Sequence, residues 1–222
     1  MKFNIITIFP DMFKSYFSES IIGRAQKTKI INIKTHDLRT WTKDKHKTVD
    51  DTPYGGGAGM VMKIEPLYKS LQALKSKVKS QKSKVVLLSA KGKSWNQQLA
   101  KDYSKLDEII LICGRYEGVD ERITNFIDEE ISIGDYVLTG GEIPAMIIVD
   151  SITRLLPGAL GNEDSSKDES HSEIGILEYP QYTKPEIFKA GNKEYKVPDI
   201  LLSGHHKKLK EWRENHKKKI IK

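Results

Sequence analysis

The sequence predicts an α/β protein built on a parallel sheet, and three segments carry that expectation. Lys2–Phe9, Lys84–Ser89 (KVVLLS) and Glu108–Cys113 (EIILIC) are near-continuous apolar runs, each followed by a helical start. Strands apolar on both faces belong to a parallel sheet covered by helices above and below. At 222 residues, 38% hydrophobic and 30% charged, the chain can bury a core. That length suits one large domain or a medium domain with a small appendage.

Taken in order, the first strand leads into a helix opening near Asp11, an acidic residue placed to suit the helix dipole. The stretch from Arg39 to Met62 has no clear period and is too long for an ordinary connector, so it reads as a binding loop. The second strand hands over to a helix from Ser94, and the third to a helical segment from Val119. From Glu142 to Leu156, Ile148, Ile152, Leu155 and Leu156 form the stripe of a helix with one packed face, and Pro157 and Gly158 stop it. Gly161–Gly175 turns polar and acidic with almost nothing to bury, as a linker does. A basic helix, HHKKLKEWRENHKKKIIK, closes the chain with Leu209 and Trp212 as its small apolar face. The expected organisation is therefore 1–160, a linker over 161–175, and a small helical domain over 176–222.

Composition removes several function classes. The longest strongly apolar stretch, Ala145–Val149, is far short of the roughly 20 residues of a membrane span, and the first residues lack the pattern of a signal peptide. No membrane partner is expected, and the cytosol is the expected compartment. The single cysteine, Cys113, leaves no internal disulfide framework and no Cys-based zinc site. The six histidines show no metal spacing, so no metal site is expected. A net charge of +7 and a pI near 9.2 give a moderate bias toward polyanionic partners.

Some motifs are decoys. Gly92–Ser94 (GKS) sits where a phosphate-binding loop would end, but Leu87 stands where that loop needs glycine. The glycines of Tyr54–Met60 miss the dinucleotide fingerprint, whose third glycine would fall at Met60. Nothing local activates Cys113, which reads as a small buried hydrophobe. Two segments are more specific: CGRYEGVDER (Cys113–Arg122) and SIGDYVLTGGE (Ser132–Glu142). Each follows a strand and offers backbone groups where side chains are absent, so that a ligand can approach the main chain at the carboxyl ends of the strands. A turn followed by a salt-bridged helix start is the ordinary alternative for the first.

These two segments resemble the signature loops of the tRNA (guanine-N1)-methyltransferase family. FPDMF (Phe9–Phe13), GRA (Gly23–Ala25), TVDDTPYGGGAGM (Thr48–Met60), PQYTKPE (Pro180–Glu186) and LLSGHH (Leu201–His206) extend the similarity from Lys2 to about Trp212. The resemblance implies a SPOUT-type fold: an α/β domain with a deep trefoil knot that binds S-adenosylmethionine, joined to a small helical C-terminal domain. It implies transfer of a methyl group to N1 of guanosine 37 of tRNA, beside the anticodon. The cofactor residues it implies are Leu88, Ser89 and Ala90; Gly114, Tyr116, Glu117 and Gly118; and Ile133, Gly134, Asp135, Tyr136, Val137, Leu138, Gly140, Gly141 and Pro144. Ala90 stands where the family's pattern usually has Pro. A homodimer with the active site at the subunit interface is also implied.

Guanine N1 carries a proton, so a carboxylate base and a cation near the developing charge on O6 are wanted. The resemblance assigns the cation to Arg154, whose alternative is a salt bridge to Asp150 one turn earlier. The family's catalytic Asp precedes a Ser; here Glu169 precedes Ser170, with Asp168 one residue earlier, and both remain candidates. Lys207, Lys208, Lys210 and Arg213 are expected to meet phosphates of the tRNA anticodon stem-loop, with Trp212 packing. The participation of Mg²⁺ is left open. The rivals are a related methyltransferase acting on another RNA site and a non-catalytic RNA-binding protein with the same fold.

Overall fold

The computed structural model describes residues 1–78, 80–161, 169–173 and 175–220. Its chain divides into two compact units, Met1–Gly161 and Asn162–Lys222.

The first unit is built on a five-stranded sheet with β1 (Lys2–Thr7), β2 (Asn32–Asp37), β5 (Ser83–Ser94), β6 (Glu108–Cys113) and β7 (Glu129–Ser132) in the order β2-β1-β6-β5-β7. Every pairing in it is parallel. The short strands β3 (Asp50–Asp51) and β4 (Val61–Met62) form a separate antiparallel pair. Side chains alternate between two cores with the period of a strand. Phe3 and Ile5 of β1, Val86 and Leu88 of β5, and Ile109, Leu111 and Cys113 of β6 face one core. Ile6, Val85, Leu87, Ile110 and Ile112 face the other. The central strands therefore read as unbroken apolar runs, because neither face sees water.

Helices α1 (Lys14–Ser18), α2 (Ser20–Lys27), α4 (Gln97–Tyr103) and α5 (Glu142–Thr153) supply the first core, and α3 (Ile64–Lys75) the second through Leu67, Leu71 and Leu74. The chain reaches α1 through a 3-10 turn over Pro10–Phe13, and the segment after β6 is a 3-10 helix, Glu121–Phe126. The helix expected from Ser94 starts later: β5 runs on to Ser94 because Lys93 and Ser94 pair with Ile131 and Ser132, and Asn96 caps α4 through its side-chain oxygen, which accepts from the Leu99 N–H at 2.9 Å. The GKS motif lies in this strand.

The second unit holds β8 (Ile176–Leu177), the hairpin β9 (Ile187–Ala190) and β10 (Lys193–Lys196), the helices α6 (Asp199–Leu202) and α7 (His206–His216), and β11 (Lys218–Lys219). β8 pairs with β11, and β9 with β10, both antiparallel. None of its described residues is buried. Its apolar centre is Trp212, whose ring meets Tyr179 and Tyr182 edge-on and stacks on His216 at 4.0 Å between centroids. Among the described residues, no helix is long and apolar enough to cross a membrane.

Candidate active site

A cavity of about 240 Å³ opens at the carboxyl ends of β6 and β7, beside the mid-strand bulge of β5. Adjacent parallel strands leave such a crevice where their following loops diverge. Its walls are the β5 bulge at Ser89–Lys91, the loop Gly114–Val119 and the loop Ile133–Gly141, closed by Pro144 of α5. Every expected cofactor residue lines it except Asp135, which is exposed and outside the lining. Lys91, Arg115, Val119, Glu121, Glu130 and Thr139 line it as well, although the motif reading did not assign them. Leu88, Ile133, Leu138 and Pro144 make apolar walls, while Glu117, Glu121 and Glu130 outnumber the cations Lys91 and Arg115.

The Gly114–Val119 loop is fixed from outside by the segment that the sequence marks as aperiodic. The Glu117 N–H donates to Met60 O at 3.0 Å, the Met62 N–H to Gly118 O at 3.0 Å, and the Asp120 N–H to Met62 O at 2.9 Å. Tyr116 holds a left-handed φ of 60°, a conformation that costs a non-glycine residue energy and that surrounding structure must enforce. Burial raises its phenol above the ordinary value, and the charge of Asp50 and a hydrogen bond to it add to the shift. The salt-bridged alternative for this segment is also present, since Asp120 binds Arg122 at 2.6 Å and accepts its N–H.

Behind the cavity lies a polar network that the motifs did not reveal. Glu142, in the first turn of α5, is 1% exposed. Its Oε1 accepts from Thr7 Oγ1 at 2.7 Å, and its Oε2 accepts from Arg115 Nε at 2.9 Å. Thr7 Oγ1 in turn accepts from the Phe9 N–H at 2.9 Å, and the Arg115 guanidinium lies 4.7 Å from the centre of the Phe9 ring. The signal available in sequence was an acidic residue opening an otherwise apolar helix, which the helix dipole favours; its partners were 27 and 135 positions away.

Gly140 and Gly141 are expected to leave room for a ligand, but the space beside them is filled by protein. A Cβ on Gly140 would overlap Arg115 Nε, and one on Gly141 would stand 2.7 Å from the Cys113 Cα. Cys113 is fully buried, and burial pushes its thiol well up, consistent with a packing role.

Arg154 is not part of this cavity. It caps the C-terminal end of α5, half-buried, with its N–H donating to Asp150 O at 3.2 Å. The Asp150 carboxylate accepts from the Tyr16 hydroxyl at 2.5 Å. Glu169 opens a turn in the second unit, its carbonyl accepting the Ser172 N–H at 2.9 Å; Asp168 lies outside the described residues. Lys207, Lys208, Lys210 and Arg213 fall on α7, and Arg213 lies 5.2 Å from the centre of the Tyr179 ring. Among the described residues there is no group of three or more His, Cys, Asp or Glu able to hold a metal ion.

Residues 1–222 match the family described as tRNA (Guanine-1)-methyltransferase TrmD. A protein of Dictyoglomus turgidum named tRNA (guanine-N(1)-)-methyltransferase is 55% identical over 213 residues, covering 96% of this chain and 83% of that protein. Proteins with the same name from Ruminiclostridium cellulolyticum and Clostridium botulinum are 52% identical over 214 residues and 53% over 213, each covering 96% of this chain and, respectively, 89% and 85% of the relative.

Proposed function

The chain belongs to the tRNA (guanine-1)-methyltransferase family, and on that premise we propose that it methylates N1 of guanosine 37 of tRNA with S-adenosylmethionine as donor. The observation that carries the reading is the cavity at the strand ends, where the two glycine-bearing segments and the β5 bulge meet. Its residues fit the donor: apolar walls suit an adenine ring, backbone groups can read the edge of that ring, and the excess of carboxylates suits a cation. When bound, S-adenosylmethionine supplies an electrophilic methyl group on a positively charged sulfur. The chain's part is to hold the donor, strip the proton from guanine N1 and balance charge at O6. Arg154 faces O6, and Glu169 or Asp168 accepts the proton. The basic face of α7 takes up phosphates of the anticodon stem-loop.

A single chain does not suffice in this reading. Pro144, on the cavity wall, and Arg154 are separated by about 15 Å along α5, at about 1.5 Å per residue. That is farther than an arginine side chain extends, so Arg154 serves the cavity of a second copy. Exposed apolar side chains support the same homodimer: Ile143 and Ile147 of α5 remain 49% and 39% exposed, and Met12 of the 3-10 turn and Tyr16 of α1 are 41% and 44% exposed. Residues 1–160 then form the catalytic domain with its trefoil knot, 161–175 the linker and 176–222 the tRNA-binding domain, in a protein acting in the cytoplasm.

Incubation with labelled S-adenosylmethionine and unmodified tRNA, followed by mapping of the methylated nucleotide, tests the reading. Label at N1 of guanosine 37 is expected. Label at another nucleotide overturns the position, and binding of tRNA without any methyl transfer favours the non-catalytic rival.

A further inference from the structure

We propose that the pair formed by the part-buried Arg115 and the buried Glu142 is a lock between the two glycine-bearing loops, and that these two positioning residues set the affinity of the cavity for S-adenosylmethionine without touching the transferred methyl group. The proposal rests on the reading of the cavity as the cofactor site.

Arg115 stands on the loop after β6, whereas Glu142 follows the loop after β7, so their ion pair at 2.9 Å joins the two walls of the cavity. The backbones meet at the same place: Arg115 and Gly140 form an isolated antiparallel bridge, and the Gly141 N–H donates to Gly114 O at 2.9 Å. Side-chain exposures of 16% and 1% for Arg115 and Glu142 put the pair out of reach of most solvent screening. The Thr7 hydroxyl completes the carboxylate's partners, so the charge is hydrogen-bonded at both oxygens. An unpaired charge at this depth would be strongly disfavoured, which ties the position of each loop to the presence of the other. Gly140 belongs to the device as well, because any Cβ there would overlap the arginine and come within 2.6 Å of Glu142 Oε2. A cavity wall held in place before the ligand arrives loses less freedom on binding, which is how a lock away from the reacting atoms raises affinity.

The test compares Arg115→Met, Glu142→Gln and the double variant by calorimetric titration with S-adenosylmethionine and by thermal unfolding without ligand. Each single variant leaves one group without its charged partner and should lower both stability and affinity. The double variant removes both charges and should recover much of the thermal stability. Its cofactor dissociation constant should nevertheless remain about 10- to 100-fold above wild type, the scale of loss when a positioned element shifts, with the loss falling more on that constant than on turnover at saturating cofactor. A double variant that binds S-adenosylmethionine as tightly as wild type overturns the lock and leaves the pair a purely structural contact. A double variant whose turnover collapses at saturating cofactor overturns it in favour of a direct part in the reaction. Wild-type protein that does not bind S-adenosylmethionine at all overturns instead the assignment of the cavity.

Discussion

Mixing two inactive variants tests whether the active site is shared between chains. Arg154→Ala removes the cation proposed to face guanine O6, and Leu138→Asp places a charge on an apolar wall of the cavity at a residue already 38% exposed, where folding tolerates it. The separation of about 15 Å along α5 between Pro144 on the cavity wall and Arg154 means that one chain's Arg154 does not reach that chain's own cavity. In a two-fold dimer with sites completed across the interface, each heterodimer holds one intact site and one doubly damaged site. Random re-association makes half of the dimers heterodimers, so the mixture should regain about one quarter of wild-type activity while each variant alone stays near background. The assay is methyl incorporation from labelled S-adenosylmethionine into unmodified tRNA after co-expression, with heterodimers counted by native mass spectrometry. Heterodimers at the expected fraction with no recovered activity would refute the cross-subunit site.

Other outcomes follow from single groups. Arg154→Ala should slow single-turnover methylation by orders of magnitude with cofactor affinity nearly intact, and whichever of Asp168→Asn and Glu169→Gln is more damaging identifies the base; full rate in both sinks the carboxylate assignment. Replacing Lys207, Lys208 and Lys210 with Ala should flatten the dependence of log affinity for tRNA on log salt by roughly two to three units, if each meets a phosphate. Gly141→Ala forces a Cβ to 2.7 Å from the Cys113 backbone; overpacking of about 1–3 kcal/mol should lower the unfolding temperature by roughly 2–12 °C, and an unchanged melting curve would show that the space is free after all. The Tyr16 phenol is pushed up to about 12 by its hydrogen bond to Asp150, then by burial and by the charge of that carboxylate. Its contribution to stability is thus complete below the ordinary value of 10.0 and fades as pH rises through about 12. An absorbance titration of wild type against Tyr16→Phe should show one phenol missing at that upper end and none at 10.

What the sequence made legible follows from how each element is buried. β1, β5 and β6 announce themselves because both faces are covered, while β2 at the sheet edge, with a half-exposed pattern over Asn32–Asp37, carries no continuous apolar run to read. β7 is four residues long and hides between polar neighbours. α3 carries a signal in Leu67, Leu71 and Leu74 at helical spacing, but that stripe is short and follows directly on the aperiodic stretch that ends at Met62. The hairpin β9–β10 lacks any signature of burial, because all eight of its strand residues are exposed. The cavity residues were legible through family resemblance, since strand-end loops look alike in sequence whatever they bind. The Arg115–Glu142 pair was not, because its contact depends on loops from β6 and β7 closing over one helix end.

Glycines in a loop carry two opposite meanings, and the structure separates them by what a side chain would meet. At Gly118, with a φ of 130°, a Cβ would find open space on the cavity wall, so what requires glycine there is the backbone conformation. At Gly140 and Gly141 a Cβ would strike protein, so glycine is required because two loops and a strand end converge. The TGGE string therefore encodes convergence: one glycine admits the Arg115 side chain, the next admits the end of β6, and the glutamate binds the arginine that the first glycine let in. A cavity whose walls are held by such contacts has its shape set before any ligand arrives. On the proposed reading of this cavity as the cofactor site, its selectivity resides in the side chains that face inward, and the Arg115–Glu142 pair acts on affinity by holding the walls.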